Sequence, residues 1–478
     1  MPSEDGVGRS VLLEARIVNS RHLRILAAIV FPLLLLRASA AICEEPAAAP
    51  VESPAQRGYR LLLEKPYLSP DFDQRVFDEL WKTWEEPLRS KAEKATPDER
   101  RQMAFSRYGL IERAGDPDHR PLQYVVDDKG NWTMNCLACH QGKVAGHAYP
   151  GVPNSLYALE TLTEEVAETK DRLHKKHTRM ETGSLLMPLG TTNGTTNAVM
   201  FGVALLALRD PDLNLRRGFP PLSGSHDHDA PAWWNFHRRR SLYSDGFAMK
   251  SHRALMQFLL DPENKGPKFR EWENDFKDIY AWLDSLKPPK YPGLVDAGLV
   301  DKGHGLFNEQ CARCHGKAGR DERYPNKIIP IETVGTDPAR LNALTPEQRK
   351  AYGASWFGEY GKQPLVADPG GYVPPPLDGI WASAPYFHNG SVPTVWHVLH
   401  PDERPKVWLR SEDSYDLKRV GLEFQAFDTL PRAALVSRKE RRRYFDTTQE
   451  GKSAAGHRFQ DELNEEEKRA LLEYLKTI

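Results

Sequence analysis

Neither sign of charge is in excess in this chain: 65 Lys and Arg face 66 Asp and Glu. A chain so balanced has no basic surplus with which to neutralise phosphates, which excludes nucleic acid as a partner. Long apolar runs are scarce too. The run from Ile25 to Leu36 contains Pro32 and falls short of the roughly 20 residues that a membrane span needs. Arg16, Arg21 and Arg24 precede it and Ala38-Ser39-Ala40 follows it, the pattern of an export signal over 1–40. The sequence therefore predicts a periplasmic protein, free or loosely held at a membrane, with no transmembrane span once the signal is removed and a Pro/Ala-rich tether over 41–56; the alternative is that the signal stays uncleaved as an N-terminal anchor. Cysteine is rare, at five, and no methionine occurs beyond Met256.

Proline (37) and glycine (34) are plentiful, so much of the chain is expected as loop and turn. The rest reads as mainly α. Ser69-Pro70 is expected to open a helix with Phe72, Val76, Phe77, Leu80, Trp81 and Trp84 on one face, and Thr96 with Glu99 forms a capping box. Leu122 to Val126 reads as a strand, with Asp127-Asp128-Lys129-Gly130 as its turn. An apolar helix is expected from Asn197 to Leu208 after the Gly190–Thr196 loop. Another carries Phe269, Trp272, Phe276, Ile279, Tyr280 and Leu283 and is closed by Pro288-Pro289. The Pro-rich break from Leu286 to Pro292 divides two expected domains, 57–287 and 288–478. In the second, Gly303, Phe307 and Cys311 recur at intervals of four, and a last helix starts at Asn464 with Glu467 as its capping partner.

Four of the five cysteines lie in two Cys-x-x-Cys-His clusters, Cys136/Cys139/His140 and Cys311/Cys314/His315. Two thiols at this spacing reach the two vinyl groups on one porphyrin edge, and the next residue turns its imidazole onto the iron. A redox dithiol needs no following His, and a zinc site leaves both His unexplained. The clusters thus predict two covalently attached haem c groups. No feature of the sequence supports a calcium ion as a further cofactor.

The sixth ligand of each iron decides what the centre can do. Without methionine after Met256, the C-terminal haem must draw on His388, His397, His400 or His457. The stretch from Gly303 to the last helix resembles a class I cytochrome c, whose distal ligand stands just before the last helix, and that resemblance implies His457 and a bis-His, low-potential centre. For the N-terminal haem, Met134, Met187, Met200, His147, His237 and His252 are available. Alternatively, the Gly190–Thr196 loop, its helix and Trp233-Trp234 form an apolar wall beside an iron open to small oxidants. Those tryptophans read equally as core packing. Arg238-Arg239-Arg240 is either a solvated face or a partner for haem propionates, and Arg441-Arg442-Arg443 is read the same way.

With both clusters in place, Ala384-Pro385-Tyr386-Phe387-His388-Asn389-Gly390-Ser391-Val392-Pro393-Thr394 resembles a segment of the bacterial di-haem cytochrome c peroxidases and of the rubber oxygenases related to them. Cys314-His315-Gly316 and Gly335-Thr336-Asp337 are similar to that group as well, and Gly456-His457 fits the rubber-oxygenase-like branch better. The stretch from Gly303 to the last helix resembles a class I cytochrome c with a long insertion, in which the first and last helices cross at a Gly and an aromatic residue. The resemblance implies two cytochrome-c-like haem domains. The C-terminal one would be a bis-His relay, and the N-terminal one would activate peroxide or dioxygen near Trp233 or Trp234. It further implies a small redox partner protein or respiratory electron donor and a small-molecule oxidant. The alternative is a non-catalytic di-haem carrier between a dehydrogenase and a terminal acceptor.

Overall fold

The computed structural model describes residues 51–216, 218, 226–319 and 322–478. The expected export signal and residues 41–50 of the tether lie outside them. The end of the expected tether is helical. Ser53 accepts from the Gln56 amide and Gln56 reaches back to Ser53, and Pro54 takes the first helical position, so the helix Pro54–Glu64 starts inside the expected tether. Proline here is a helix starter, because its missing N–H would be unpaired at that position anyway.

This helix packs across Glu273–Ser285, and the crossing point is Gly58. A Cβ at residue 58 would lie 2.2 Å from the carbonyl oxygen of Asp278. Tyr59 and Trp282 stack beside the crossing at 5.1 Å. The C-terminal half repeats the device. The helix Ala297–Leu306 crosses the last helix, Glu465–Leu475, at Gly303, where a Cβ would lie 2.0 Å from the Ala470 carbonyl oxygen. Phe307 and Tyr474 meet beside it at 5.2 Å. In both pairs the aromatic on the second helix stands four residues after the carbonyl that the glycine touches. One apolar core runs through both halves, from Leu62 and Phe276 through Trp234 and Trp381 to Leu471.

The mainly α expectation needs correction, because helices share the fold with several small antiparallel sheets. Phe72–Asp73 is not helical. It pairs with Trp132 and Asn131 in a three-stranded sheet, and Asp73 caps a shorter helix, Gln74–Glu79. Phe72 stacks on Trp132 at 5.4 Å, a cross-strand contact that sequence spacing had credited to a helix face. The strand expected before the first cluster is present as Tyr124–Val126, turning through Gly130 at φ +74° into Asn131–Met134. The insertion in the C-terminal half carries the largest hairpin, Val407–Asp416 with Gly421–Phe427, flanked by Tyr444–Asp446. The apolar helix Ala198–Ala207 and the capping boxes at Thr96 and Asn464 stand where expected.

Replacing Gly303 by Val puts side-chain atoms where the Ala470 carbonyl sits. Overpacking of this kind costs about 1–3 kcal/mol, so the urea midpoint is expected to fall. An unchanged midpoint would show that the crossing tolerates a wider separation.

Candidate functional site

Each Cys-x-x-Cys-His cluster is delivered by rigid chain. The strand Asn131–Met134 runs into Asn135, whose amide nitrogen donates to the carbonyls of Leu62 and Leu122, both at 2.9 Å. Its oxygen accepts from the Leu137 amide, which starts the short helix Leu137–His140. In the second cluster, Ala297–Leu306 passes through a π turn, Phe307–Cys311, into Ala312–His315. Gly316, at φ +74°, ends that helix.

Both clusters line the same cavity, of about 1120 Å³, walled mostly by apolar side chains. The two imidazoles are held alike. His140 Nδ1 is 3.2 Å from the Pro231 carbonyl oxygen, and His315 Nδ1 is 2.7 Å from that of Pro375. Each Nδ1 is thereby the protonated nitrogen and each Nε2 is left as a free ligand. Burial pushes the pKa of His140 down to about 3 and lowers that of His315, which keeps both rings in the neutral form a metal needs. Burial also raises the thiols of Cys136 and Cys311 to about 11 and that of Cys139 to about 12. Such thiols are the opposite of the activated cysteines of a redox dithiol.

Across from His315 stands His457, with ring centroids 6.1 Å apart. Two imidazoles sharing one metal at about 2.0–2.1 Å per bond are spaced at roughly this distance. Burial, then the neighbouring His315 and Arg404, lower the pKa of His457 to about 3. The other local histidines are otherwise engaged. His397 Nδ1 meets Thr394 Oγ1 at 2.7 Å, and His400 lies between the Trp396 carbonyl and Glu465. His388 lines the cavity but stacks on Tyr372 at 4.4 Å. The residues present therefore fit a haem c: paired neutral imidazoles, two thiols at one edge and an apolar chamber.

The N-terminal side differs. Of its six candidate ligands, only Met134 and Met187 line the cavity. Met134 Sδ accepts from the Tyr157 hydroxyl at 3.1 Å. His147 is exposed on a two-residue strand, His237 Nδ1 meets the Trp234 carbonyl at 2.8 Å, and His252 pairs with Glu273. Phe201, Leu205 and Ala198 of the apolar helix form a wall of the cavity, with Leu186 and Leu189.

The two tryptophans part company. Trp233 lies flat on His140, with centroids 4.0 Å apart and planes 15° apart. A metal on His140 lies in the plane of the imidazole, so a group stacked on its face is beside that metal and not across from it. Trp234 is fully buried, does not line the cavity, and donates its indole N–H to the Asp378 carbonyl at 2.6 Å. The arginine run is not a solvated face. Arg238 is buried against Asp378 and donates to the Lys317 carbonyl at 2.6 Å. Arg239 lines the cavity and donates to the Tyr243 carbonyl, leaving only Arg240 exposed. In the second run, Arg442 pairs with Glu164 at 2.6 Å and Arg441 with Asp446 at 2.9 Å.

Sequence reading missed His228, half-buried at the cavity wall, and Arg340, 2% exposed beside Asp245. It also missed Pro231 and Pro375. Their carbonyls orient both imidazoles, and a backbone acceptor carries no residue-type signal.

A family model described as RoxA-like, cytochrome c-like matches residues 371–409. That span holds Pro375, Asp378 and the Ala384–Thr394 segment. The match supports a cytochrome c of that group and implies haem c. Two uncharacterized proteins of Sinorhizobium fredii, y4iJ and y4iM, are each 29% identical to this chain, over 259 and 204 residues. The alignments cover 40% and 37% of this chain and 41% and 45% of those proteins, so the chain spans less than half the length of the curated relatives it matches.

The placement of the tryptophans separates their variants. Trp234→Phe removes the 2.6 Å bond to the buried Asp378 carbonyl, leaves it the longer bond from Asn235 at 3.3 Å and empties space in the core, and is expected to cost about 1–3 kcal/mol. Trp233→Phe keeps an aromatic face on His140 and beside Trp282 and, at a half-buried position, is expected to cost less than Trp234→Phe. Urea denaturation followed by far-UV circular dichroism checks both; equal losses would mean that the indole N–H of Trp234 contributes nothing.

Proposed function

We propose that this chain is a di-haem c-type cytochrome that takes electrons in at its C-terminal centre and uses them at its N-terminal centre on peroxide or dioxygen. One haem is attached at Cys136 and Cys139 with His140 as ligand, and the other at Cys311 and Cys314 with His315 and His457. The observation that carries the reading is the difference between the two imidazoles: His457 faces His315, whereas among the described residues the ring stacked against His140 is Trp233, with an apolar wall in the cavity it lines. Haem, when bound, supplies the one-electron and oxygen chemistry at each site. The chain's own residues set which site is closed and which is open.

His315 and His457 would hold the C-terminal haem between them, which would suit that site to passing electrons and not to binding an oxidant. Pro231 holds the proton on His140 Nδ1, which leaves Nε2 as the metal-facing atom, and Trp233 fixes the ring from the side. Phe201, Leu205 and the buried Leu189 give the cavity that His140 lines an apolar wall that disfavours water, where fixed groups act in a low dielectric. The electron donor is a small redox protein or a respiratory component, and the oxidant is a small molecule. A periplasmic site of action follows from the export signal read over 1–40. Among the described residues no helix is long and apolar enough to cross a membrane. The segment matched at 371–409 favours an oxygenase-like or electron-transfer role within this reading.

A second reading, the non-catalytic carrier, rests on Met134 and Met187. Both reach the cavity, and either one closing the first iron would leave two saturated centres.

Low-temperature EPR with cyanide and carbon monoxide titrations, on protein shown by pyridine haemochrome to carry two haems, decides between them. The expected result is one low-spin centre and one high-spin centre that responds to ligand. His457→Gly is expected to convert the low-spin centre into a second ligand-binding one. Two low-spin signals that stay closed after addition of one electron equivalent would replace the enzyme reading with the carrier.

A further inference from the structure

His457 sits in a backbone conformation that a non-glycine residue rarely adopts. Its φ is +50°, and that of the preceding Gly456 is +78°. Two consecutive left-handed residues persist only where their surroundings over-determine them. Part of the constraint is visible. Gly456 lies so close to Gly335 that a Cβ would be 2.2 Å from its carbonyl carbon, and the His457 amide donates to the Val334 carbonyl at 2.7 Å. These contacts act on one side of the loop.

Arg404 acts on the other. Its Nη1 donates to the carbonyls of Ala454 at 2.6 Å and Gly456 at 2.8 Å, the two flanks of the turn that presents His457. Its Nε and Nη2 donate to the carbonyls of His397 at 2.9 Å and Val398 at 3.2 Å. Those two belong to the short helix Val395–Leu399, whose last carbonyls have no partner within the helix. The guanidinium also lies 5.0 Å over the ring of Phe387, itself 6.0 Å from the His457 ring. All four acceptors are backbone carbonyls, so what this side chain fixes is the path of the main chain. Burial, helped by Arg458, brings its pKa down to about 10, which leaves it charged at neutral pH.

We infer that Arg404 is the positioning residue for the sixth ligand of the C-terminal centre: its fork ties the 454–456 turn to the end of the Val395–Leu399 helix and holds His457 facing His315. The inference rests on the reading of His315 and His457 as paired ligands. The fork spreads three nitrogens over four carbonyls in two segments, whereas a lysine's ammonium offers three donors from a single nitrogen and cannot serve all four.

The test compares the full-length haem-loaded protein with Arg404→Leu, Arg404→Lys and His457→Gly, by EPR and by carbon monoxide binding to the reduced protein. The wild-type C-terminal centre is expected to be low-spin and blind to carbon monoxide, and His457→Gly to open it fully. Arg404→Leu is expected to raise carbon monoxide binding at that centre at least tenfold at fixed gas concentration, with two haems retained and the N-terminal signal unchanged. Arg404→Lys is expected to behave like Arg404→Leu, and it decides the matter alone if the leucine variant does not accumulate. A closed centre in the Arg404 variants, alongside an opened one in His457→Gly, overturns the inference and leaves the ligand pair standing. Full wild-type behaviour of Arg404→Lys overturns it too, because charge and not the fork would then be what matters. If His457→Gly itself changes nothing, the ligand pair fails, and this inference with it.

Discussion

An imidazole offers a metal one nitrogen with a defined direction only when its other nitrogen is held, and in this chain two proline carbonyls do the holding. Pro231 accepts from His140 and Pro375 from His315. The two acceptors are not independent. Asn235, four residues after Pro231, donates to the Pro376 carbonyl at 3.0 Å, and Trp234 donates to that of Asp378. The segments that orient the two histidines are therefore bonded into one piece, and Arg238 on Asp378 locks the same junction. A displacement of either segment would turn both rings. The proline run Pro374–Pro376 suits the task, since it has no N–H to satisfy and a backbone restricted to extended paths.

Around that junction the fold uses one packing device twice. A glycine lets two helices approach until backbone meets backbone, at Gly58 and at Gly303, and an aromatic residue closes the gap one turn on. In the C-terminal half the first helix then runs almost directly into its Cys-x-x-Cys-His cluster. In the N-terminal half a sheet and several helices intervene between Glu64 and Cys136. Similar helix pairs thus frame two clusters whose surroundings differ. That is how one side of the cavity comes to carry a facing histidine and the other an apolar wall.

Some of the opposite charges meet inside the fold. Arg349 and Arg340 sit on Asp245, Lys170 on Glu181, and Arg107 with Tyr108 on Glu165, all buried or nearly so. Buried pairs of this kind add little net stability, but they are costly to break singly. Their value lies in holding loops in register in a chain with few long helices. Arg404 differs from them in being spent wholly on main-chain carbonyls.

Much was legible along the chain. The two clusters, the capping boxes at Thr96 and Asn464 and the strand before Cys136 follow from local chemistry, because thiol spacing and capping side chains act within a few residues, whereas the lack of methionine after Met256 narrowed the candidates facing His315 only to four histidines. What only the tertiary structure decided was contact between distant segments. Phe72 fits a helix face by spacing, yet it pairs with Trp132, some sixty residues on. Trp233 and Trp234 are neighbours in sequence but face different partners, one flat on His140 and the other on Asp378. Pro231, Pro375 and Arg404 act through backbone atoms that every residue possesses. The sequence pattern records side chains, whereas the orientation of both imidazoles depends on main-chain oxygens brought together by folding.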